Sequence, residues 1–153
     1  MPDTMRNIIP TPLQVLLVDD DKDDYLIFQK ALDHQVFKTK LDRVSDGDTL
    51  MEILRDDNKT LPDVIFLDIS MPGKNGYDCL IEIKQVERLE KIPIIMYSTS
   101  YQKDVADILF EMGANYYIKK RGAFSEVKNV IEKALVFISE NGNHAPTRAN
   151  FIL

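Results

Sequence analysis

Three short apolar runs, and the residues on which they stop, constrain this chain more than any other feature. Leu13–Val18 ends in Asp19-Asp20-Asp21, Val64–Leu67 ends in Asp68, and residues 94–97 end in Ser98-Thr99-Ser100. Runs this short and this predominantly apolar read as strands buried on both faces of a sheet. In an open parallel sheet, ligands sit at the carboxyl ends of the strands. The runs therefore place carboxylates and hydroxyls where an α/β sheet does its chemistry.

The segments between the runs read as helices. Tyr25, Phe28 and Leu32 share one face of a helix over 22–33, which Asp21 can cap and whose positive N-terminal end suits Asp23 and Asp24. Residues 39–44, of mixed polarity, read as a weak edge strand. Asp46-Gly47 opens a second helix carried by Leu50, Ile53 and Leu54. A loop with Pro72, Gly73 and Gly76 precedes a third helix over about 77–86. A fourth helix spans about 103–112 and stops at Gly113. The fifth strand is 115–119. The last helix has the clearest stripe, with Val127, Val130, Ile131, Ala134, Leu135 and Ile138 at helical spacing. Five strands alternating with five helices predict one α/β domain, a parallel sheet with helices on both faces. Residues 1–12, with three prolines, read as a flexible leader, 13–140 as the folded domain, and 141–153 as a mobile tail without periodicity.

Composition narrows the function. The net charge of −6 argues against unaided nucleic-acid binding, which needs a basic face. Five aspartates between positions 19 and 24 resemble a cation site more than a solubilising coat. Cys79 is the only cysteine, so no internal disulfide forms and a reducing, cytoplasmic setting is expected. No window approaches the roughly 20 apolar residues of a membrane span, and no signal peptide is evident.

Four segments together point to a family. Leu16-Leu17-Val18-Asp19-Asp20-Asp21 resembles the acidic turn of response-regulator receiver domains. The segment from Phe66 to Gly76 resembles their phosphoacceptor signature, and Ile94-Ile95-Met96-Tyr97-Ser98 and the segment from Gly113 to Lys120 resemble their last two motifs. The resemblance covers about 13–140. It implies a doubly wound (βα)5, flavodoxin-like sheet of order 2-1-3-4-5, which brings Asp19 and Asp20 beside Asp68.

The family's chemistry carries over residue by residue. Asp68 is implied to be the phosphoryl acceptor. Asp20, Asp68 and the backbone carbonyl of Ser70 are implied ligands of Mg²⁺, with Asp19 acting through water; a hard divalent cation relieves the repulsion among such carboxylates. Ser98 is the implied hydroxyl partner of the phosphoryl group, with Thr99 and Ser100 as alternatives one or two positions on. Lys120 is the implied cationic partner. Arg121 follows it where the family usually has proline, which leaves Lys119 as an alternative. Tyr117 falls at the family's aromatic switch position, and is equally readable as a static packing residue. Ser70 and Ser100 flank the site and bear on water access. The implied function is a stand-alone response regulator, monomer or weak dimer. It would receive a phosphoryl group from a sensor histidine kinase or a histidine phosphotransfer protein and signal to a downstream protein through helix 4, strand 5 and helix 5. It would bind neither nucleic acid nor membrane, and would be no enzyme beyond self-phosphorylation from small donors and self-dephosphorylation.

Three other readings are weighed against this one. A receiver fold that no longer cycles phosphate has Arg121 as its support. A phosphohydrolase would use the Asp-x-Asp within 19–21, but the chain has no cap domain. A flavin mononucleotide carrier needs a phosphate-binding loop after strand 1, where five aspartates would repel the phosphate.

Overall fold

The computed structural model describes residues 12–99, 101–120, 122–142 and 146–153. Five strands, β1 (Leu13–Val18), β2 (Thr39–Val44), β3 (Val64–Leu67), β4 (Ile94–Ser98) and β5 (Tyr116–Lys119), form one sheet of order β2-β1-β3-β4-β5. Every pairing is parallel. Five helices connect or follow them: α1 (Lys22–Asp33), α2 (Gly47–Arg55), α3 (Gly76–Gln85), α4 (Lys103–Glu111) and α5 (Phe124–Asn141). The doubly wound α/β architecture and its strand order are as the sequence implies.

Strand side chains alternate between the two faces, and the core accordingly divides in two. Leu16, Val18, Ile65, Leu67, Ile94 and Met96 pack with Leu50 and Leu54 of α2, Leu80 and Ile83 of α3, and Ala106 and Leu109 of α4. Val15, Leu17, Val64, Phe66, Ile95 and Tyr97 pack with Phe28 and Leu32 of α1 and with Val127, Ile131, Ala134 and Leu135 of α5. The rings of Phe28, Phe66 and Tyr97 meet edge to face at the centre of this second layer. The central strands β1, β3 and β4 are buried nearly throughout, whereas β2 alternates with exposed Lys40 and Asp42, as an edge strand facing water does.

Helix ends follow local chemistry. Asp21 caps α1 by accepting the amides of Asp23 and Asp24, Asp46 caps α2 through Thr49, and Asn75 caps α3 through Asp78. Gly113, at φ 95°, takes the left-handed turn that stops α4. β5 begins at Tyr116, one residue later than expected. The Asn115 side chain is the reason: its Oδ1 accepts the Ile94 amide at 2.9 Å, a bond that a strand carbonyl would otherwise make.

The tail departs from expectation. Instead of a mobile end, residues 148–150 form a 3-10 turn, and the residues after it lie along the outer edge of β5. Ile152 bridges Tyr117 in parallel register. The Tyr117 amide donates to the Phe151 carbonyl, and the Leu153 amide donates to the Tyr117 carbonyl, both at 2.9 Å. Phe151 is 2% exposed, set against Tyr117 and Phe110. Arg148 pairs with Asp107 and Glu111 of α4. The lack of periodicity concealed this, because what docks is a single buried ring plus backbone pairing. The expected leader falls mostly on residues 1–11, and Ser100 and Arg121 also lie outside the described residues.

Candidate functional site

The register of β1 and β3 builds the site. Val18 pairs with Leu67, so Asp19 and Asp68 emerge side by side from neighbouring strands. The backbone fixes both: the Asp19 amide donates to the Val44 carbonyl at 3.0 Å, and the Asp68 amide donates to the Val18 carbonyl at 2.9 Å. Asp19 is fully buried, Asp68 is 5% exposed and Asp20 faces solvent. One oxygen from each of Asp19, Asp20 and Asp68 lies within 4.8 Å of the others, a carboxylate group able to hold a metal ion. Asp19 Oδ1 accepts the Asp21 amide at 2.8 Å. Its Oδ2 is buried and faces the Lys120 ammonium at 2.6 Å, yet it makes no well-angled hydrogen bond. An all-oxygen donor set with such an under-used buried oxygen suits a hard cation.

Lys120 enters from the far side of the sheet. Its amide donates to the Ser98 carbonyl at 2.7 Å, which anchors the residue just past β5. Its Nζ lies 2.6 Å from Asp19, 3.0 Å from Asp24 and 3.2 Å from Asp68, and 5.3 Å from the centre of the Tyr97 ring. The Lys120 side chain is 6% exposed, while Lys119 faces solvent, so Lys120 supplies the inward cation. Burial works against its charge, but the close contacts with Asp19 and Asp24 and the charges of Asp68 and Asp19 outweigh that and raise its pKa. Burial also raises Asp68 above the ordinary carboxylate range. The Lys120 charge opposes this rise and the Asp19 charge adds to it.

The loop after Asp68 is drawn tight. The Ser70 amide donates to Asp68 Oδ1 at 3.2 Å, and the Gly76 amide closes the loop on the Ile69 carbonyl at 2.9 Å. Ser70 itself is exposed beside the acid group. A Cβ at Gly76 would meet the Asp68 carbonyl at 2.3 Å, so only glycine lets α3 start against the end of β3.

Ser98, at 3% exposure, ends β4, and Thr99 points to solvent. The Ser98 side chain hydrogen-bonds the Tyr117 phenol; burial raises that phenol's pKa and the Ser98 bond moderates the rise. Tyr117 is 1% exposed, its ring packed edge to face with Tyr101 at 5.8 Å and facing Phe151. The structure thus gathers Asp19, Asp20, Asp68 and Lys120 into one cluster, and links Ser98 to Tyr117 beside it.

Two residues of the site were not singled out from sequence. Asp24 reads there as an acid suited to a helix N-terminus and as one of five clustered aspartates, not as a partner of Lys120, yet its carboxylate meets Lys120. Tyr97 reads as an apolar strand residue, yet its ring lies beneath the Lys120 ammonium.

A doubly wound sheet with paired strand-end acids, a strand-end hydroxyl and an inward lysine defines a phosphoacceptor type of α/β domain. The chain belongs to the response regulator receiver domain family, whose model matches residues 15–132. It is similar to the response regulator Rcp1 of Synechocystis sp., with 30% identity over 125 residues, 79% of this chain and 85% of that protein. It is also similar to the chemotaxis protein CheY of Pseudomonas aeruginosa, with 29% identity over 130 residues, 85% of this chain and all of the relative. Among solved structures, the phosphorylated cyanobacterial phytochrome response regulator RcpA matches with a TM-score of 0.76 at 30% identity, over 83% of this chain and 94% of that one. The Mn²⁺-bound form of Rcp1 matches with a TM-score of 0.76 at 28% identity, over 89% of this chain and all of that one. The protein is therefore a phosphoacceptor response regulator of two-component signalling. Among the described residues, no helix is long and apolar enough to cross a membrane.

Proposed function

We propose that Asp68 is the phosphoryl acceptor, with Mg²⁺ as cofactor, and that a phosphohistidine on a sensor kinase or a phosphotransfer protein is the donor. The observation that carries this reading is the setting of Asp68, buried at the end of β3 with two further carboxylates and the Lys120 ammonium at 3.2 Å. An Asp68 oxygen attacks phosphorus in line with the donor nitrogen. The P–O bond forms as the P–N bond breaks, and the electron pair leaves with the imidazole, which retains or regains its proton. Lys120 supplies a point charge to the phosphoryl oxygens. Asp19, Asp20, Asp68 and the Ser70 carbonyl would hold Mg²⁺, which supplies neutralisation of the phosphoryl charge.

Ser98 gives the site its output. Its hydroxyl now serves Tyr117. Donating that hydroxyl to a phosphoryl oxygen weakens its hold on the phenol, and so carries the change to α4, β5 and α5, where a downstream protein reads it. This is a two-state element biased by local charge. Exposed Ser70, beside Asp68, leaves water access to the acyl phosphate, so the domain also loses the group to water and takes it from small donors. In this reading the protein works in the cytoplasm, as a monomer or weak dimer, without contacting nucleic acid or membrane.

Intact-protein mass after incubation with Mg²⁺ and a small phosphodonor tests the assignment. The expected result is a gain of one phosphoryl group that requires Mg²⁺ and is lost entirely in Asp68→Asn. Normal labelling of that variant would overturn Asp68 as the acceptor.

A further inference from the structure

We propose that Asp24 is a positioning residue of the phosphoryl site, a counter-ion that competes with the phosphoryl group for the Lys120 ammonium and so sets how readily the site accepts it. The proposal rests on the assignment of Asp68 and Lys120 above.

The geometry carries it. An ammonium has three donors, and the Lys120 Nζ faces three carboxylates, Asp19 at 2.6 Å, Asp24 at 3.0 Å and Asp68 at 3.2 Å. Asp19 and Asp68 belong to the carboxylate group able to hold a metal ion; Asp24 does not. Their charge is shared with any bound cation, whereas the charge of Asp24 answers to Lys120 alone among these. Asp24 is also held in place. Its amide donates to the capping carboxylate of Asp21 at 3.1 Å, which fixes the first turn of α1 over the pocket. Lys120 is fixed at its other end, because its amide is bonded to the Ser98 carbonyl. Its backbone stays while its long side chain can swing between Asp24 and the phosphoryl position, a freedom suited to a flexible lysine stem.

The strength of the competition follows from exposure. The Lys120 side chain is 6% exposed and that of Asp24 is 27% exposed. A partly solvated carboxylate holds an ammonium weakly, by a factor of a few in an equilibrium constant. Asp24 therefore restrains Lys120 without trapping it. A plain helix-end acid at this position would suit the α1 dipole equally well, but it would leave the behaviour of Lys120 unchanged by its loss.

The test is the affinity of the full chain for fluoroberyllate in the presence of Mg²⁺, followed by nuclear magnetic resonance. Asp24→Asn keeps the shape and removes the charge. It should tighten fluoroberyllate about three- to fivefold, and Asp24→Glu should return the affinity towards wild type. In a Lys120→Met background the gain from Asp24→Asn should shrink. A gain of unchanged size there would make Asp24 a bare repelling charge and overturn the proposal, as would no gain, or a loss, in the wild-type background. In ligand-free protein, Asp24→Asn should also move the side-chain nitrogen resonance of Lys120; an unmoved resonance counts against the pairing itself. If wild type binds no fluoroberyllate and takes up no phosphoryl group, the phosphoacceptor assignment falls and this proposal falls with it. That outcome is distinct from a wild type that binds while Asp24→Asn changes nothing.

Discussion

At the carboxyl ends of β1 and β3, groups of like charge are crowded into a dry place; at the outer edge of β5, rings and backbone groups find partners. The acid pocket sets Asp19, Asp24 and Asp68 around the single ammonium of Lys120. Burial and Asp19 push Asp68 towards its neutral form. The β5 edge instead satisfies both backbone groups of Tyr117 with the tail and buries Phe151. The pocket keeps a buried Asp19 oxygen without a hydrogen bond, and its geometry is imposed by strands paired elsewhere. The edge is quiet because little is left unsatisfied. Ser98 and Tyr117 are hydrogen-bonded between the two regions. In the proposed reading, a disturbance of the first would reach the second there.

That contrast can be broken at several points. Phe151→Ala should have the largest effect on stability, about 3 kcal/mol by the cost of emptying a buried aromatic site. Urea denaturation measures it, and phosphoryl labelling of Asp68 should survive. A variant as stable as wild type would show that the edge contributes nothing.

Asp68→Asn should act in the opposite direction. Because the folded state raises the Asp68 pKa, it binds that proton more tightly than the unfolded chain does. Metal-free wild type therefore loses stability as pH rises from the ordinary carboxylate range through the raised value. The variant lacks that loss. The two should coincide in acid and diverge in the variant's favour as pH rises to neutral. A less stable variant at pH 7 would mean that the Lys120 pair outweighs the crowding.

Ser98→Ala sharpens the link between the regions. It should still accept phosphate, with fluoroberyllate affinity roughly fivefold lower, about the worth of one hydrogen bond. Amide exchange at Tyr117 should respond less to the mimic than in wild type; an equal response would remove Ser98 from the path. The smallest effect is expected of Arg148→Ala. Its pairs with Asp107 and Glu111 are exposed, and their loss should cost no more than about 0.5 kcal/mol.

How much of this was legible in the chain depends on whether the signal was local. Apolar runs marked β1, β3 and β4 because both faces of each strand are buried, and Asp21 and Gly113 marked helix ends through backbone chemistry within a few residues. The neighbourhood of Asp19 and Asp68 needed the strand order, which the alternation of elements alone does not supply. Asp24 and Lys120 are 96 residues apart, and nothing in the first turn of α1 distinguishes the aspartate that meets a lysine from those that meet water. The tail was illegible for a related reason. One ring and two backbone hydrogen bonds hold its end on the sheet, and neither produces a periodic pattern.

The tail on β5 also bears on how molecules of this protein treat one another. An open sheet has two edges, and each invites a strand from another molecule. β2 discourages this with exposed Lys40 and Asp42, whereas β5 is covered by the protein's own residues 151–153. Cutting the chain back to Gly142 would leave the acid pocket whole but would bare the outward amide and carbonyl of Tyr117 beside an apolar surface. Such a shortened protein should keep its phosphoryl uptake and lose solubility, which would make the last residues a matter of colloidal behaviour more than of phosphoryl chemistry.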